Sequence, residues 1–199
     1  MNILILGGFL GSGKTSVLLE LAKYLVKKDT ATKPVKVAII ENEIGETGVD
    51  GIAIKSAGLV VKDIFAGCVC CTVSSDLIVG IHDIQKTLSP DWIIIETTGL
   101  AKPDSVAENI KAYVKHERIL ITIIVDAFRW NELSDILYPL TTAQVKAAQA
   151  ILLNKIDLVT TEELKLISAD LKKINPNAEI IELSAIHGVP VSFIDSILN

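Results

Sequence analysis

Residues 3–15 read Ile-Leu-Ile-Leu-Gly-Gly-Phe-Leu-Gly-Ser-Gly-Lys-Thr. Four apolar residues run without a break into a glycine-rich loop. The loop hands over at once to Val17, Leu18, Leu21 and Leu25, which share one face at the 3.6-residue period. A buried strand, a tight loop and a helix in that order commit the chain to parallel α/β architecture. Gly8–Thr15 fits the pattern GxxxxGK[ST] without a mismatch. The pattern has a physical reading. Gly8, Gly11 and Gly13 let the backbone curl so that its N–H groups, those of Ser12 and Ser16 among them, face an anion. The helix N-terminus adds positive potential. Lys14 reaches the outer phosphates of a nucleotide, and the Thr15 hydroxyl is a ligand for Mg²⁺. The bland alternative is a glycine turn that happens to carry Lys-Thr; the flanking strand and helix argue against it.

The same alternation continues through the chain. Expected strands are Ile3–Leu6, Val35–Ile40, Leu59–Phe65, Trp92–Ile95, Ile119–Val125, Ala150–Leu153 and Ile180–Leu183. Most are continuously apolar, as strands covered on both faces are. Between them, helical faces are formed by Leu77, Ile81, Ile84 and Leu88, and by Val106, Ile110, Tyr113 and Val114. Another, Leu164, Ile167, Leu171 and Ile174, follows a capping box of Thr160 and Glu163. The pattern predicts a doubly wound α/β fold: a mainly parallel sheet of about seven strands with helices on both faces, of the P-loop NTPase class. It predicts one domain over residues 1–199, with ligands at the carboxyl ends of the strands.

Composition excludes several functions. Net charge is −5, and no basic stripe or stacking platform of aromatics is present, so nucleic acid is not an expected partner. Mean hydropathy is high at +0.47, but the apolar runs are strand-sized and fall short of the ~20 residues of a membrane span. The first residues lack the basic start of a signal peptide. The three cysteines lie within four residues, at Cys68, Cys70 and Cys71, which is no disulfide framework. They point to a reducing compartment, expected to be the cytoplasm, and to thiol or metal chemistry.

A phosphate loop does not choose a base. Asn154-Lys155-Ile156-Asp157, placed directly after the strand Ala150–Leu153, does. The Asp157 carboxylate matches the N1–H and 2-amino donors of guanine, which adenine lacks. Asn154 is expected to brace the loop and base edge, and the Lys155 stem to pack on the ring. The strand Ile180–Leu183 runs into Ser184-Ala185, where the Ala185 amide is expected to meet guanine O6. GTP is therefore the expected nucleotide. Glu96, in Glu96-Thr97-Thr98-Gly99, ends a buried strand and suits Mg²⁺ held through water, with the Gly99 amide near the terminal phosphate. No water-orienting glutamine follows Gly99, so slow GTP hydrolysis is expected, with Lys14, Thr15 and Glu96 carrying it.

Residues 41–50 hold four carboxylates, including Glu41 and Glu46, and two glycines. They suit a segment ordered by a cation, or an acidic loop in solvent. Three sulfurs at Cys68, Cys70 and Cys71 select soft ions such as Zn²⁺. A fourth ligand could come from Glu41, Glu46, a histidine, water or another subunit. Buried small hydrophobes or a redox dithiol are the alternative roles for these cysteines. His82, His116 and His187 read as structural or solvated residues.

The phosphate loop, ENEIGETGVD, GCVCC, ETTGLAKP and NKID occur in that order over nearly the whole chain. Together they resemble the metal-linked GTPase group of CobW, UreG and HypB, and GCVCC with ETTGL resembles the CobW branch most. The resemblance implies a GTPase that binds a transition metal (zinc, cobalt or nickel) and delivers it, or gates its delivery, to a metalloprotein client. It implies nucleotide-dependent homodimers. It also implies a metal site of Glu41, Glu46 and Cys70 with Cys68 or Cys71. The sequence departs from the resemblance in lacking a CobW C-terminal domain and a histidine-rich tract, and in having Lys102 where that loop often carries Asp. Two other readings are a nucleotide-gated binding switch with a structural metal and a P-loop small-molecule kinase. The kinase reading leaves NKID and the cysteines unexplained, and a chain with two arginines, Arg118 and Arg129, has no arginine-rich lid.

Overall fold

A computed structural model describes residues 1–27, 35–41, 60–63 and 75–198. Its strands are β1 (Asn2–Gly7), β2 (Val37–Glu41), β3 (Val60–Asp63), β4 (Trp92–Glu96), β5 (Arg118–Asp126), β6 (Ala150–Asn154) and β7 (Glu179–Glu182). They form one seven-stranded sheet in the order β3-β2-β4-β1-β5-β6-β7. Every pair is parallel. The doubly wound reading holds. β2, β4, β5 and β6 each run one residue past the expected end, because the polar residues Glu41, Glu96, Asp126 and Asn154 stay in the ladder.

The helices are α1 (Lys14–Lys27), α2 (Ser75–Leu88), α3 (Pro103–Tyr113), α4 (Trp130–Ile136), α5 (Tyr138–Ala147), α6 (Thr161–Ile174) and α7 (Val191–Leu198). Strand alternation divides the core between them. Ile3, Ile5, Ile93 and Ile95 face α2, α3, α5 and α6, meeting Ile81, Ile110, Val145 and Leu171. Leu4, Leu6, Trp92 and Ile94 face the opposite side, against Val17, Leu18 and Leu21 of α1 and Phe193 and Ile194 of α7. One strand thus buries both of its faces, which is why these segments read as unbroken apolar runs. Among the described residues no helix is long and apolar enough to cross a membrane.

Two local expectations have different outcomes. The capping box is present: the Glu163 amide donates to Thr160 Oγ1, and the Thr160 amide donates to Glu163 Oε2 at 2.8 Å. Tyr113, expected on the buried face of α3, is 66% exposed. The helix ends there, and Val114, in extended conformation, turns inward in its place.

Asn175 secures the far ends of α5 and α6. Its buried side-chain amide donates to Val145 O at 2.8 Å and Ala148 O at 2.9 Å, while its Oδ1 accepts from the Asn177 and Ala178 amides. Asn175→Ala orphans several buried groups at once, each costing about 1–3 kcal/mol. Urea unfolding should show a loss of about 2–4 kcal/mol for this variant, on the scale of other broken buried networks.

Candidate functional site

In a parallel sheet every strand delivers its carboxyl end to one edge, and the motif residues collect there. β1 ends at Gly7 and opens into the phosphate loop, where Gly8, Gly11 and Gly13 take φ of 134°, 75° and 100°. These are left-handed conformations that a side chain resists. Space forbids one as well: a Cβ on Gly8 would strike Ile124 O, and one on Gly13 would strike Asn154 Nδ2. Lys14 follows, buried, with Nζ 3.3 Å from Phe9 O so that its ammonium folds back over the loop. Ser16 is exposed on the first turn of α1.

Glu96 ends β4 next to β1 and is buried. Thr15 Oγ1 donates to its Oε1 at 3.2 Å. Two more hydroxyls in these loops, Ser12 Oγ and Thr98 Oγ1, are buried with no hydrogen-bond partner among the described residues. Buried hydroxyls are rarely left without a partner, and an anion or ion bound at this edge would give them one. A hydroxyl and a carboxylate in contact are a hard-oxygen pair, and the whole set fits a phosphate-bound Mg²⁺. The loops touch: a Cβ on Gly99 would lie 2.7 Å from the Leu10 amide nitrogen.

At the other end of the edge, Asn154 closes β6 and is buried. Its Nδ2 donates to Ser12 O at 2.8 Å, and its Oδ1 accepts from the Ala185 amide at 2.8 Å. Asn154 thus ties the phosphate loop to the Ser184–Ala185 loop. The Ala185 amide, assigned to guanine O6 from sequence, spends its proton on Asn154 here. Lys155 stands in left-handed conformation, φ 64°, and Asp157 is exposed beside it. The Ser184 side chain beside it holds the Asp157 pKa below the ordinary 3.8, with smaller help from its own backbone amide and from the charges of His187 and Lys155; partial desolvation opposes them.

The metal half of the sequence reading falls mainly outside the described residues: Glu46, Cys68, Cys70 and Cys71 all do. Glu41 is described in its backbone, as the last residue of β2, paired with Asp63 of β3. Because Ile40 pairs with Ile95, Glu41 stands level with Glu96 on the same edge. β3 ends at Asp63, five residues before Cys68 in the chain. Of the histidines, His82 is half-buried on α2, His187 is exposed, and His116 Nδ1 lies 2.7 Å from Val114 O. Among the described residues no three of His, Cys, Asp and Glu converge as a metal site.

Two residues at this edge escaped the sequence reading. Gln144 of α5 is buried and donates from Nε2 to Gly99 O at 3.1 Å and Ala101 O at 2.9 Å, fixing the loop after Glu96. Asp126 closes β5 and binds both Arg129 and Lys155. A strand-end carboxylate was a visible signal for Asp126; nothing local announced Gln144.

Comparison with known proteins agrees with this geometry. A family model described as CobW/HypB/UreG, nucleotide-binding domain, matches residues 2–182. The chain belongs to the CobW/HypB/UreG family. Similar members include the zinc-regulated GTPase metalloprotein activator 1 of Dictyostelium discoideum, 31% identical over 224 residues (91% of this chain, 45% of the relative). Another is the zinc chaperone YjiA of Escherichia coli, 29% identical over 198 residues (94% and 58%). The chain spans about half the length of the curated relatives it matches. Hydrogenase maturation factor HypB from Archaeoglobus fulgidus shares the fold, with a TM-score of 0.71, 22% identity and coverage of 100% of this chain and 91% of that one. Within the family match lie Lys14, Glu96 and Asp157, whereas Ser184 and Ala185 fall just beyond it.

The depressed Asp157 pKa has a testable sign. The carboxylate form is the one the fold favours, so its contribution is present above the unfolded pKa and is lost as pH falls through the lower folded value. An NMR titration of the Asp157 carboxyl should give a midpoint below 3.8. Ser184→Ala, which removes the main cause, should raise that midpoint.

Proposed function

We propose that this chain is a GTP-hydrolysing metallochaperone unit whose transition-metal affinity follows its nucleotide state. The observation that carries the guanine half is the tie made by Asn154 between the phosphate loop and the Ala185 loop, with an ionised Asp157 beside it. On this reading the exposed Asp157 carboxylate is the two-acceptor partner of the base, next to the residue that ties its loop to the phosphate loop.

Within this reading the phosphate chain lies in the Gly8–Thr15 loop, and Lys14 turns from Phe9 O to the outer phosphates. Thr15 and Glu96 are the residues that would hold Mg²⁺, which when bound supplies positive charge to the terminal phosphate oxygens. The loop at Gly99, fixed by Gln144, offers its backbone amide near the γ-phosphate position. Turnover by the isolated chain is slow, as low as ~10⁻⁴ s⁻¹ in sites without a finger or water-orienting group. Residues 1–199 act as one nucleotide-binding unit, and a homodimer or a metalloprotein client supplies the rest.

The metal half rests on sequence and on the sheet order. Zinc, or cobalt or nickel, is taken as cargo by Cys68, Cys70 and Cys71 with Glu41 and Glu46. The strands that lead into these residues, β2 and β3, are neighbours, and β2 lies beside the strand that carries Glu96. Curated relatives are described as zinc chaperones, which supports zinc first. A small-molecule kinase is less well supported, because both arginines are committed elsewhere: Arg118 lies over the Trp92 ring and Arg129 binds Asp126.

Two measurements test the reading. Asp157→Asn replaces one acceptor by a donor, so GTP affinity should fall by about 1–3 kcal/mol per mismatched group while xanthosine triphosphate gains. Equal affinity of the wild type for ATP and GTP would end the guanine assignment. For the cargo, zinc titration of the reduced protein should differ between GDP and a non-hydrolysable GTP analogue by roughly 5–150-fold, with GTP affinity changed reciprocally by zinc. Cys70→Ala should remove that difference; identical zinc affinity in both states would leave the cysteines a structural role.

A further inference from the structure

β5 lies between the strand that feeds the phosphate loop and the strand that feeds the base loop. Gly7 of β1 pairs with Ile123, and Asp126, at the end of β5, pairs with Asn154 of β6. The Asp126 side chain is wholly buried. A carboxylate in that position is costly unless its charge is matched, and here it is matched twice on a single oxygen. Oδ2 accepts from Arg129 Nε at 2.8 Å and from Lys155 Nζ at 2.8 Å. Oδ1 faces the Arg129 backbone amide at 3.4 Å.

The two cations serve different parts of the site. Lys155 belongs to the base-recognition tetrapeptide and is held in a left-handed backbone conformation that fixes where its stem projects. Arg129 reaches the other way. Its Nη2 donates to Leu10 O in the phosphate loop, and a Cβ built on Gly11 would lie 3.2 Å from the same nitrogen. The Nη2 end of the guanidinium therefore lies against the turn formed by Leu10 and Gly11. Two cations on one carboxylate oxygen compete for it and repel each other, so the position of one depends on the other. A base that presses on the Lys155 stem changes the hold of Asp126 on Arg129, and so the set of the phosphate loop.

We propose that Asp126 is a positioning residue that couples base recognition to the geometry of the phosphate loop, through Lys155 on one side and Arg129 on the other. The identity of the base rests on the guanine reading above; the coupling itself does not. It makes the site respond to a nucleotide as a whole, so that the wrong base also loosens the grip on the phosphates.

The test is a double-mutant cycle on nucleotide binding with Arg129→Ala and Lys155→Ala, measured with GMP and GDP. Arg129→Ala should weaken GDP more than GMP, because GMP has no β-phosphate for the loop to hold, whereas Lys155→Ala should weaken both. The loss in the double variant should depart from the product of the single losses by about threefold or more, as for residues that share a partner. In an Asp126→Asn background the two losses should multiply independently, and the GDP-to-GMP affinity ratio should fall. Independent losses in the presence of Asp126 overturn the proposal, as does an Asp126→Asn protein that loses thermal stability but keeps the wild-type GDP-to-GMP ratio. If Asp126→Asn does not fold, the Arg129 and Lys155 cycle decides alone. A wild type that prefers ADP to GDP would refute the guanine reading, and the same cycle run with AMP and ADP would still decide the coupling.

Discussion

The side chain of Asn154 holds the nucleotide edge together. It is buried, it uses both its donor and its acceptor, and each bond crosses to a different loop: Ser12 O on one side and the Ala185 amide on the other. Inside the phosphate loop the Ser12 amide and Lys14 Nζ both donate to Phe9 O, but the conformation also depends on three glycines at positive φ. It keeps one shape because neighbours press on it. Asn154 does so at Gly13, Ile124 at Gly8 and Arg129 at Gly11. A loop of glycines is permissive in an unfolded chain and costly to order; here that cost is met by groups at the ends of the adjoining strands.

The same principle extends along the edge. Gln144 fixes the loop after Glu96 by donating to Gly99 O and Ala101 O, and Thr97 Oγ1 donates to Leu6 O across the β1–β4 boundary. Among the described residues, the phosphate loop and the loop at Gly99 are thus held from behind by the buried polar side chains of Asn154 and Gln144. Such support is what keeps a binding constellation in productive geometry.

How much of this was legible beforehand follows from how local each signal is. The phosphate loop is contiguous, with its strand and helix attached, and the structure has it where the motif implies. Continuous apolar runs revealed buried parallel strands because both faces of the sheet are covered. The capping box at Thr160 and Glu163 spans four residues and was equally plain. Gln144 was not, because its partner Gly99 lies 45 positions away, and the strand-end position of Asp126 gave no sign that its neighbour Arg129 reaches Leu10, 119 positions before it. The Ala185 amide was assigned to the base on strand position, and the competing acceptor on Asn154 is visible only when β6 and β7 are side by side. Tyr113 failed for a different reason, since periodicity cannot tell that a helix stops one residue earlier.

The strand order gives the sheet two margins with different duties. The loops after β6 and β7 stand at one margin, and the strands leading to the acidic and cysteine-bearing segments, β2 and β3, stand at the other. β3 and β6 are five inter-strand steps apart, about 24 Å at the usual ~4.8 Å spacing. β1 and β4, with Lys14, Thr15 and Glu96 at their carboxyl ends, stand between the two margins. On the proposed reading such a sheet separates the two tasks, with the base read at the β6–β7 margin and the cargo held beyond the β2–β3 margin. On the same reading the terminal phosphates sit at the centre, between the strand that leads to the base loop and the strand that leads to the acidic segment.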